Sequence, residues 1–252
     1  MSRLTKIGLA LGGGFARGMA HVGVLRVFER EKIPVHAIAG CSAGAIAAAA
    51  FASGASSEEI ERAALSMQPS DIADANSMTK FLSRLLKKFD FSEMNVPLAI
   101  VASDLTAAAP VVFKDRGDVI LPIQASCAYP GMFAPVRYMN HCLVDGMVAM
   151  DVPAAPLRRM GATHVISVVL PRPSEPVDPM SMASIVQRSF QIMTARTESH
   201  WRRSSDLVIS PDVKDIPSNG FHSALEAIEA GERAAEAAIS QIKKRLELPA
   251  AA

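Results

Sequence analysis

A single serine, Ser42, lies between two glycines in the segment Gly-Cys-Ser-Ala-Gly. This spacing matches the G-x-S-x-G nucleophile elbow, in which a serine occupies a tight turn between a strand and a helix. Gly40 and Gly44 must be small because the residues two before and two after the serine crowd each other. The following helix would direct its positive end, with the amide of Ala43, toward a developing negative charge. Ser42 is therefore a candidate nucleophile, and a helix-capping serine is the alternative.

A glycine-rich turn at Gly12, Gly13 and Gly14 offers a second chemical element. Consecutive glycines let bare backbone amides face a cavity, where they would stabilise the oxyanion of an acyl-transfer reaction. Arg17 would brace this loop or bind an anionic group. A dinucleotide-binding loop is disfavoured because Arg17 takes the third glycine position of G-x-G-x-x-G. A purely structural strand-to-helix turn remains an equal alternative.

A serine nucleophile needs a base, and the histidines do not offer an obvious one. His200 and His222 come late enough for a Ser–Asp–His order, but neither follows a clear strand end. Asp145 does end an apolar segment, and Gly146 follows it. A carboxylate among apolar neighbours loses solvation, which raises its pKa and makes it a stronger base. On the residues alone, an ordinary Asp-Gly turn is still the favoured interpretation.

The composition limits the function classes. The chain has 252 residues, of which half are hydrophobic, and a formal net charge of +1. This charge gives no indication of nucleic-acid binding. Three cysteines without metal-ligand spacing argue against a disulfide framework or a zinc site. The longest apolar run, 43–52, is about half of a membrane span. We expect a soluble, cytoplasmic protein, and loose contact with a membrane surface stays compatible with the sequence.

Strand and helix patterns alternate along the chain, which predicts a mostly parallel sheet with helices on both faces. No linker divides the sequence, so we expect a single domain over 1–252, with the proline-rich segment 170–179 as a loop within it. The predicted strands are 6–11, 36–41, 97–105, 163–170 and 206–210. The predicted helices are 19–31, 43–53, 56–67, 154–160 and 222–247, and Gly54 ends the second of them.

Two segments have features compatible with lipid contact. The stretch 77–91 is the most amphipathic: its apolar residues share one helical face (Phe81, Leu82, Leu85, Phe89), and basic residues accompany them (Lys80, Arg84, Lys87, Lys88). It fits an interfacial helix bordering the active-site mouth, or equally an ordinary helix that packs on the core. Met180, Met182 and Met193 could shape an adaptable acyl pocket, although core packing is the commoner role of methionine.

Three motifs occur in order: GGGFARG, GCSAG and the Asp-Gly pair at Asp145. Together with the segment 125–136, they resemble the signature of the patatin-like phospholipase family, and the chain is similar to bacterial single-domain members related to the catalytic domain of neuropathy target esterase. The resemblance implies a three-layer α/β/α sandwich with a mostly parallel central sheet, and catalytic motifs within about 7–153. It also implies a Ser–Asp dyad, in which Asp145 accepts the proton of Ser42 directly.

The resemblance further implies an oxyanion hole formed by the loop amides, with Arg17 at the family's basic position. The implied activity is hydrolysis of carboxylic ester bonds in phospholipids or lysophospholipids through an acyl-enzyme, without metal or cofactor. The alternatives are an acyltransferase on the same dyad, a catalytically weak interaction protein on this fold and, less favoured, a nucleotide-binding oxidoreductase. The sequence does not indicate an oligomeric state. Met147 departs from the small residue that usually follows Asp-Gly, and its bulk could narrow the site or shift Asp145.

Overall fold

A central β-sheet organises the chain in the computed structural model, which describes residues 5–171, 181–217 and 219–246. The strands found within these residues are β1 (Ile7–Leu11), β2 (Val35–Cys41), β3 (Leu98–Asp104), β4 (Ala109–Lys114), β5 (Val136–Tyr138), β6 (His141–Asp145), β7 (His164–Val168) and β8 (Leu207–Ile209). The α-helices are α1 (Ala20–Arg30), α2 (Ala43–Ser53), α3 (Ser57–Ser66), α4 (Ala75–Leu85), α5 (Ile120–Ser126), α6 (Met147–Met150), α7 (Ala154–Arg159), α8 (Met182–Arg202) and α9 (Ala224–Leu246).

The strand order is β5-β6-β3-β2-β1-β7-β8, and β4 also pairs with β3. The run from β3 through β2, β1 and β7 to β8 is parallel, whereas β4, β5 and β6 pair in antiparallel fashion. Helices connect the parallel strands and cover the sheet. The predicted mostly parallel sheet between helical layers is therefore confirmed.

Side chains alternate between the two faces of the sheet, and the two faces differ in size. Ile7, Leu9 and Leu11 of β1 pack in the large core with α1, α2 and α9. Small residues such as Ala10 face the other layer, which holds α7 and the end of α8. A Cβ added at Gly8 would lie only 2.8 Å from the Cβ of Ala162. Small strand residues thus allow this layer to approach the sheet closely.

The strand β3 brings two distant parts of the chain together. Val101 pairs with Cys41 at the end of β2, and the next residue, Ala102, pairs with Asp145 at the end of β6. Because β4 pairs with both Val101 and Ala102, β2 and β6 must share the opposite edge of β3. The last residues of β2 and β6 therefore meet end to end.

The helix α4 contains the first part of segment 77–91, for which the sequence allowed either an interfacial helix or a helix packed on the core. Its apolar side chains are buried in the core (Met78, Phe81, Leu82, Leu85), and the helix ends before Phe89. Lys87 bonds to Glu59, and Lys88 bonds to Asn95. The structure therefore supports the core-packing alternative for these side chains. Three of them (Met78, Phe81, Leu85) also line a cavity that contains Ser42, so the helix borders the candidate site as expected.

The methionine hypothesis also needs correction. Met182 and Met193 are both exposed on α8. These two residues therefore do not line an acyl pocket, and they do not pack in the core. Met180 lies outside the described residues, as does segment 172–179 of the predicted proline-rich loop. Among the described helices, none combines the length and apolar character needed to cross a membrane.

Candidate active site

Ser42 occupies a strained turn between β2 and α2. Its backbone has φ 54° and ψ −126°, a conformation that non-glycine residues seldom adopt. A Cβ at Gly40 would lie 2.3 Å from the carbonyl oxygen of Gly44, and a Cβ at Gly44 would lie 2.2 Å from that of Leu11. Both positions therefore require glycine, and the turn projects the serine out of the end of the sheet.

The hydroxyl of Ser42 points at a carboxylate. Its Oγ donates to Oδ2 of Asp145 at 2.7 Å, and both residues are buried, at 8% and 1% exposure. The other carboxylate oxygen, Oδ1, accepts from the amide of Met147 at 2.9 Å. This second bond orients the carboxylate, so that one oxygen stays directed at the hydroxyl. The geometry suits direct proton transfer from serine to aspartate.

Ser126 at the end of α5 supports the turn from below. Its hydroxyl accepts from the backbone amide of Ser42 at 2.8 Å and donates to the carbonyl oxygen of Val101 at 2.7 Å. The amide of Asp145 donates to the carbonyl of Ala128 at 2.9 Å. One short segment, Ser126 to Ala128, thus braces both the serine and the aspartate.

The amides predicted for the oxyanion hole, three in the glycine-rich loop and one at Ala43, differ in whether they already have a hydrogen-bond acceptor. The Gly12 amide donates to the Val168 carbonyl at 3.0 Å, and the Gly13 amide donates to the Asp151 carbonyl at 3.3 Å. Within the described residues, the amides of Gly14 and Ala43 have no acceptor. Two of the four amides predicted for an oxyanion hole are therefore engaged in the fold, and two are available.

His21 lies fully buried beneath this loop. Its Nε2 lies 2.8 Å from the carbonyl oxygen of Gly12, and since a carbonyl only accepts, the ring nitrogen must donate. Burial lowers the pKa of His21 to about 4, so the ring is neutral at physiological pH. The peptide unit between Gly12 and Gly13 is thus held at both ends, by His21 and by the Asp151 carbonyl.

Arg17 is buried in the short 3₁₀ turn Phe15–Met19, directly before α1, and contacts the same loop. Its Nε donates to the Gly14 carbonyl at 3.5 Å. A Cβ at neighbouring Gly18 would lie 2.3 Å from the Cβ of Ala43. The absence of a side chain at Gly18 lets the 3₁₀ turn pack directly on the first turn of α2. This contact is the one expected if Arg17 braces the loop, and the binding of an anionic group stays a prediction.

Two cavities meet at Ser42. The larger contains about 750 Å³ of unoccupied space, counted to its open mouth, and its walls are almost entirely apolar. Its lining includes Val22, Ile46, Ile60, Met78, Phe81 and Leu85. The smaller contains about 350 Å³ and is lined by the glycine loop, Arg17, Tyr129, Met147, Gln187 and Gln191. The serine is therefore accessible from an apolar side and from a more polar side.

Comparison with known proteins assigns the family. The sequence model of patatin-like phospholipases matches residues 9–158, which contain the glycine loop, the elbow and Asp145. The chain belongs to the patatin-like phospholipase family. An NTE family protein of Mycobacterium tuberculosis is 30% identical over 177 residues, covering 66% of this chain and 49% of the relative. Patatin-like phospholipase domain-containing protein 6 of Homo sapiens is 28% identical over 180 residues, covering 64% and 13%. The chain thus spans about half the length of the mycobacterial relative and much less of the human one.

A solved structure shares the fold of this chain. The crystal structure of VipD from Legionella pneumophila superposes with a TM-score of 0.58 at 13% identity, covering 96% of this chain and 66% of VipD. At this identity the likeness concerns the fold alone. The resemblance noted in the sequence, to patatin-like proteins and to NTE relatives, is confirmed.

Met147 departs from the family pattern without displacing Asp145. Its amide holds the carboxylate, and its side chain packs with Cys41 and Tyr129. The side chain also lines the smaller cavity beside Ser42. Met147 therefore forms part of the wall of this cavity, and the Ser42–Asp145 contact is kept beside it.

Sequence reasoning assigned no role to Ser126 or His21. Ser126 lies within segment 125–136, which carries part of the family resemblance, but its bond to the Ser42 amide spans 84 positions. His21 lies nine positions after Gly12, and its contact with the loop depends on how the loop and α1 fold against each other.

Proposed function

We propose that this patatin-like protein hydrolyses carboxylic ester bonds of phospholipids or lysophospholipids, with Ser42 as nucleophile and Asp145 as base. The observation that carries the proposal is the 2.7 Å contact between Ser42 Oγ and Asp145 Oδ2, on a strained turn beside a large apolar cavity. Family membership supports lipid hydrolase chemistry. The dyad, the substrate and the oxyanion donors are parts of the proposal.

In the acylation step, Asp145 takes the hydroxyl proton as Ser42 Oγ attacks the ester carbonyl carbon. The resulting tetrahedral intermediate carries its negative charge on the former carbonyl oxygen. Collapse of the intermediate breaks the bond to the alcohol oxygen, and the protonated Asp145 returns the proton to that leaving group. The products are an acyl-Ser42 ester and a free alcohol.

In the deacylation step, a water molecule attacks the acyl carbon while Asp145 accepts one of its protons. The second intermediate expels Ser42 Oγ, which recovers the proton from Asp145. The fatty acid then leaves, and the dyad returns to its starting state. An alcohol in place of water would give acyl transfer through the same residues.

The amides of Gly14 and Ala43 are the proposed oxyanion donors. Each is without an acceptor within the described residues, and Ala43 begins α2, whose N-terminus favours negative charge. Gly12 and Gly13 would not donate to the oxyanion, because their amides are already bonded to the carbonyls of Val168 and Asp151. Their contribution would be to the conformation of the loop that carries Gly14. Removing one oxyanion donor typically costs about 10²–10³ in kcat.

The two cavities suggest how the substrate lies. The acyl chain would occupy the apolar cavity, where none of the described lining residues carries a charge. The alcohol part of the ester would occupy the smaller cavity, where Gln187, Gln191 and the loop backbone offer hydrogen-bonding groups. This arrangement places the ester carbonyl at Ser42, between an apolar and a polar portion of one molecule.

The test combines a fluorophosphonate probe with ester hydrolysis. We expect mass spectrometry to find the label on Ser42, and the Ser42→Ala variant to take none. Asp145→Asn should lower turnover of p-nitrophenyl butyrate and lysophosphatidylcholine by about 10³-fold or more, as loss of a catalytic base does. Asp104→Asn is the matched control, since Asp104 is equally buried but bonds to His141. Labelling of another serine, or full activity in Asp145→Asn, would overturn the proposal.

A further inference from the structure

The helix α8 carries an apolar stripe on its solvent side. Met182, Ile185, Ile192 and Met193 are 74%, 44%, 50% and 50% exposed, and their spacing places them along one side of the helix. Helices of globular proteins usually present polar residues to water. Four large apolar side chains exposed on one side of a helix therefore point to a binding partner. We call these four residues the α8 stripe.

The opposite side of α8 faces the candidate active site. The ring of Phe190 lies 5.7 Å from the ring of Tyr129 in an edge-on contact. Gln187 and Gln191 line the smaller cavity together with Ser42. One helix thus separates the nucleophile from an exposed apolar surface, so that whatever covers the α8 stripe lies directly outside the site.

The stripe continues toward the mouth of the apolar cavity. A Cβ at Gly131 would lie 3.7 Å from Cγ1 of Val186 on α8, so the loop containing Gly131 packs against this helix. The next residue, Met132, is 60% exposed, and Phe133 lines the apolar cavity. Exposed apolar side chains therefore run from α8 to the cavity that we propose for the acyl chain.

The charges next to the stripe are basic. Arg196 follows the stripe on the exposed side of α8, and exposed Arg203 comes directly after the helix. Arg202 pairs with Glu198. An apolar stripe that ends in arginines is the pattern of a helix lying in the interface of an anionic lipid surface, with its apolar side chains inserted.

We propose that the α8 stripe and Met132 dock on an anionic phospholipid surface, from which the lipid substrate enters the apolar cavity. This inference rests on the proposed function, because a lipid ester is the substrate that would have to leave such a surface. The basic end of the helix matches the negative charge of an anionic phospholipid surface, and this complementarity is the reason to choose a lipid surface over a second copy of the chain. Docking here leaves Ser42 beneath the interface and connected to it through the cavity mouth.

Vesicle flotation of the full chain tests the proposal. The vesicles are phosphatidylcholine alone, or phosphatidylcholine and phosphatidylglycerol at about three to one. We expect wild type to float with the anionic vesicles, and the Ile185→Ser/Ile192→Ser double variant to bind at least about ten-fold more weakly. Arg196→Glu should weaken binding to the anionic vesicles and leave the neutral ones unaffected. Leu65→Ser is the control, since Leu65 is 47% exposed on α3, in the opposite helical layer.

The outcomes separate this inference from the proposed function. Turnover of p-nitrophenyl butyrate, a soluble ester, is measured in parallel and reports on the dyad without a lipid surface. If wild type floats with anionic vesicles, the double variant does not, and no ester is hydrolysed, the result supports docking and counts against the proposed hydrolase activity. Normal turnover with flotation that is absent, or equal in all variants, overturns docking. Sedimentation velocity completes the test: a wild-type dimer that the double variant disrupts, without vesicle binding, assigns the stripe to self-association and overturns the proposal.

Discussion

The hydroxyl of Ser126 accepts a hydrogen bond from the backbone amide of Ser42 at 2.8 Å. The same hydroxyl donates to the Val101 carbonyl at 2.7 Å, so the nucleophile turn is tied through α5 to β3. Ser42 has a positive φ, and such backbone strain persists only where the surroundings hold it. The hydrogen bond from Ser126 is one of the contacts that stabilise this strained turn. By fixing the backbone of Ser42, it helps to direct the Ser42 hydroxyl toward Asp145.

The Ser126→Ala variant should lose both stability and turnover. It leaves the buried Ser42 amide without an acceptor, which costs about 1–3 kcal/mol of unfolding free energy. Because the turn can then relax, we expect kcat for p-nitrophenyl butyrate to fall about ten- to a hundred-fold, with KM little changed. Urea unfolding and steady-state kinetics measure the two effects.

Ser53→Ala is the matched control for this prediction. Ser53 is buried, accepts from the Lys87 amide at 3.1 Å and donates to the Ala50 carbonyl at 2.8 Å, so its bonding pattern resembles that of Ser126. Its removal should destabilise the protein by a similar amount without lowering kcat. Equal losses of kcat in the two variants would show that Ser126 acts through general stability alone.

His21 predicts an acid-sensitive component of stability. Burial lowers its pKa from 6.5 to about 4, whereas the unfolded chain has the ordinary value. Between these two pH values the unfolded state binds more protons, so the unfolding free energy falls as the pH falls. The full shift corresponds to about 3 kcal/mol. This penalty is absent above pH 6.5 and complete near pH 4.

The His21→Gln variant isolates this effect. Glutamine keeps a donor for the Gly12 carbonyl but does not titrate, so its unfolding free energy should depend less on pH in that window. Chemical denaturation at several pH values between about 4 and 7 measures the difference from wild type. Identical slopes for wild type and His21→Gln would contradict the assignment.

Local elements were predictable because their signals are local. The strand before Ser42 and the helix after it follow from alternating patterns and from Gly54, which ends α2 with φ 97°. The role of Asp145 was different, since the residues alone favoured an ordinary Asp-Gly turn. Its contact with Ser42 depends on strand register, which sets Cys41 and Asp145 opposite consecutive residues of β3. Register between distant strands is not encoded in either segment.

Periodicity likewise predicts a helix without saying what covers its apolar face. The segment containing Phe81 was amphipathic in sequence, and the fold buries its apolar side in the core. The α8 stripe shows the reverse, because Met182 and Met193 were interpreted as pocket or core residues and are exposed. Which helix meets solvent depends on packing against elements far away in sequence.

Met147→Ala should widen the smaller cavity without disabling the dyad. The variant retains the backbone amide that holds Asp145 Oδ1, while the side chain that forms part of the cavity wall beside Ser42 is removed. We expect kcat/KM for esters of bulky alcohols to rise relative to esters of small alcohols. Truncating a buried methionine costs about 2–5 kcal/mol of unfolding free energy, which lowers the Tm. The assays are therefore run at temperatures well below the Tm of the variant.

A comparison of p-nitrophenyl, naphthyl and glycerol esters of one fatty acid measures this selectivity. Because the acyl part is constant, any change in ratio reports on the alcohol side of Ser42. An unchanged ratio would place the alcohol elsewhere than the smaller cavity. A collapse of turnover on every ester, in a folded variant, would instead show that the Met147 side chain itself positions Asp145.

Ala64→Phe should shorten the acyl chains that the enzyme accepts. Ala64 lines the apolar cavity from α3, so a phenyl ring there occupies space proposed for the chain. Loss of room for about three methylene groups removes about 2 kcal/mol of binding free energy, or roughly 30-fold in kcat/KM for long-chain esters. Short-chain esters do not reach this wall and should be hydrolysed at the wild-type rate.

A series of p-nitrophenyl esters from butyrate to palmitate gives the measurement. The control is Leu65→Phe, which adds an aromatic ring at the neighbouring, exposed position of α3. It should leave the chain-length profile unchanged. If Ala64→Phe also retains the wild-type profile, the acyl chain does not extend along α3, and the apolar cavity beside Ser42 has another occupant. A uniform decrease for all esters would indicate instead that the ring disturbs the turn at Ser42 through α2.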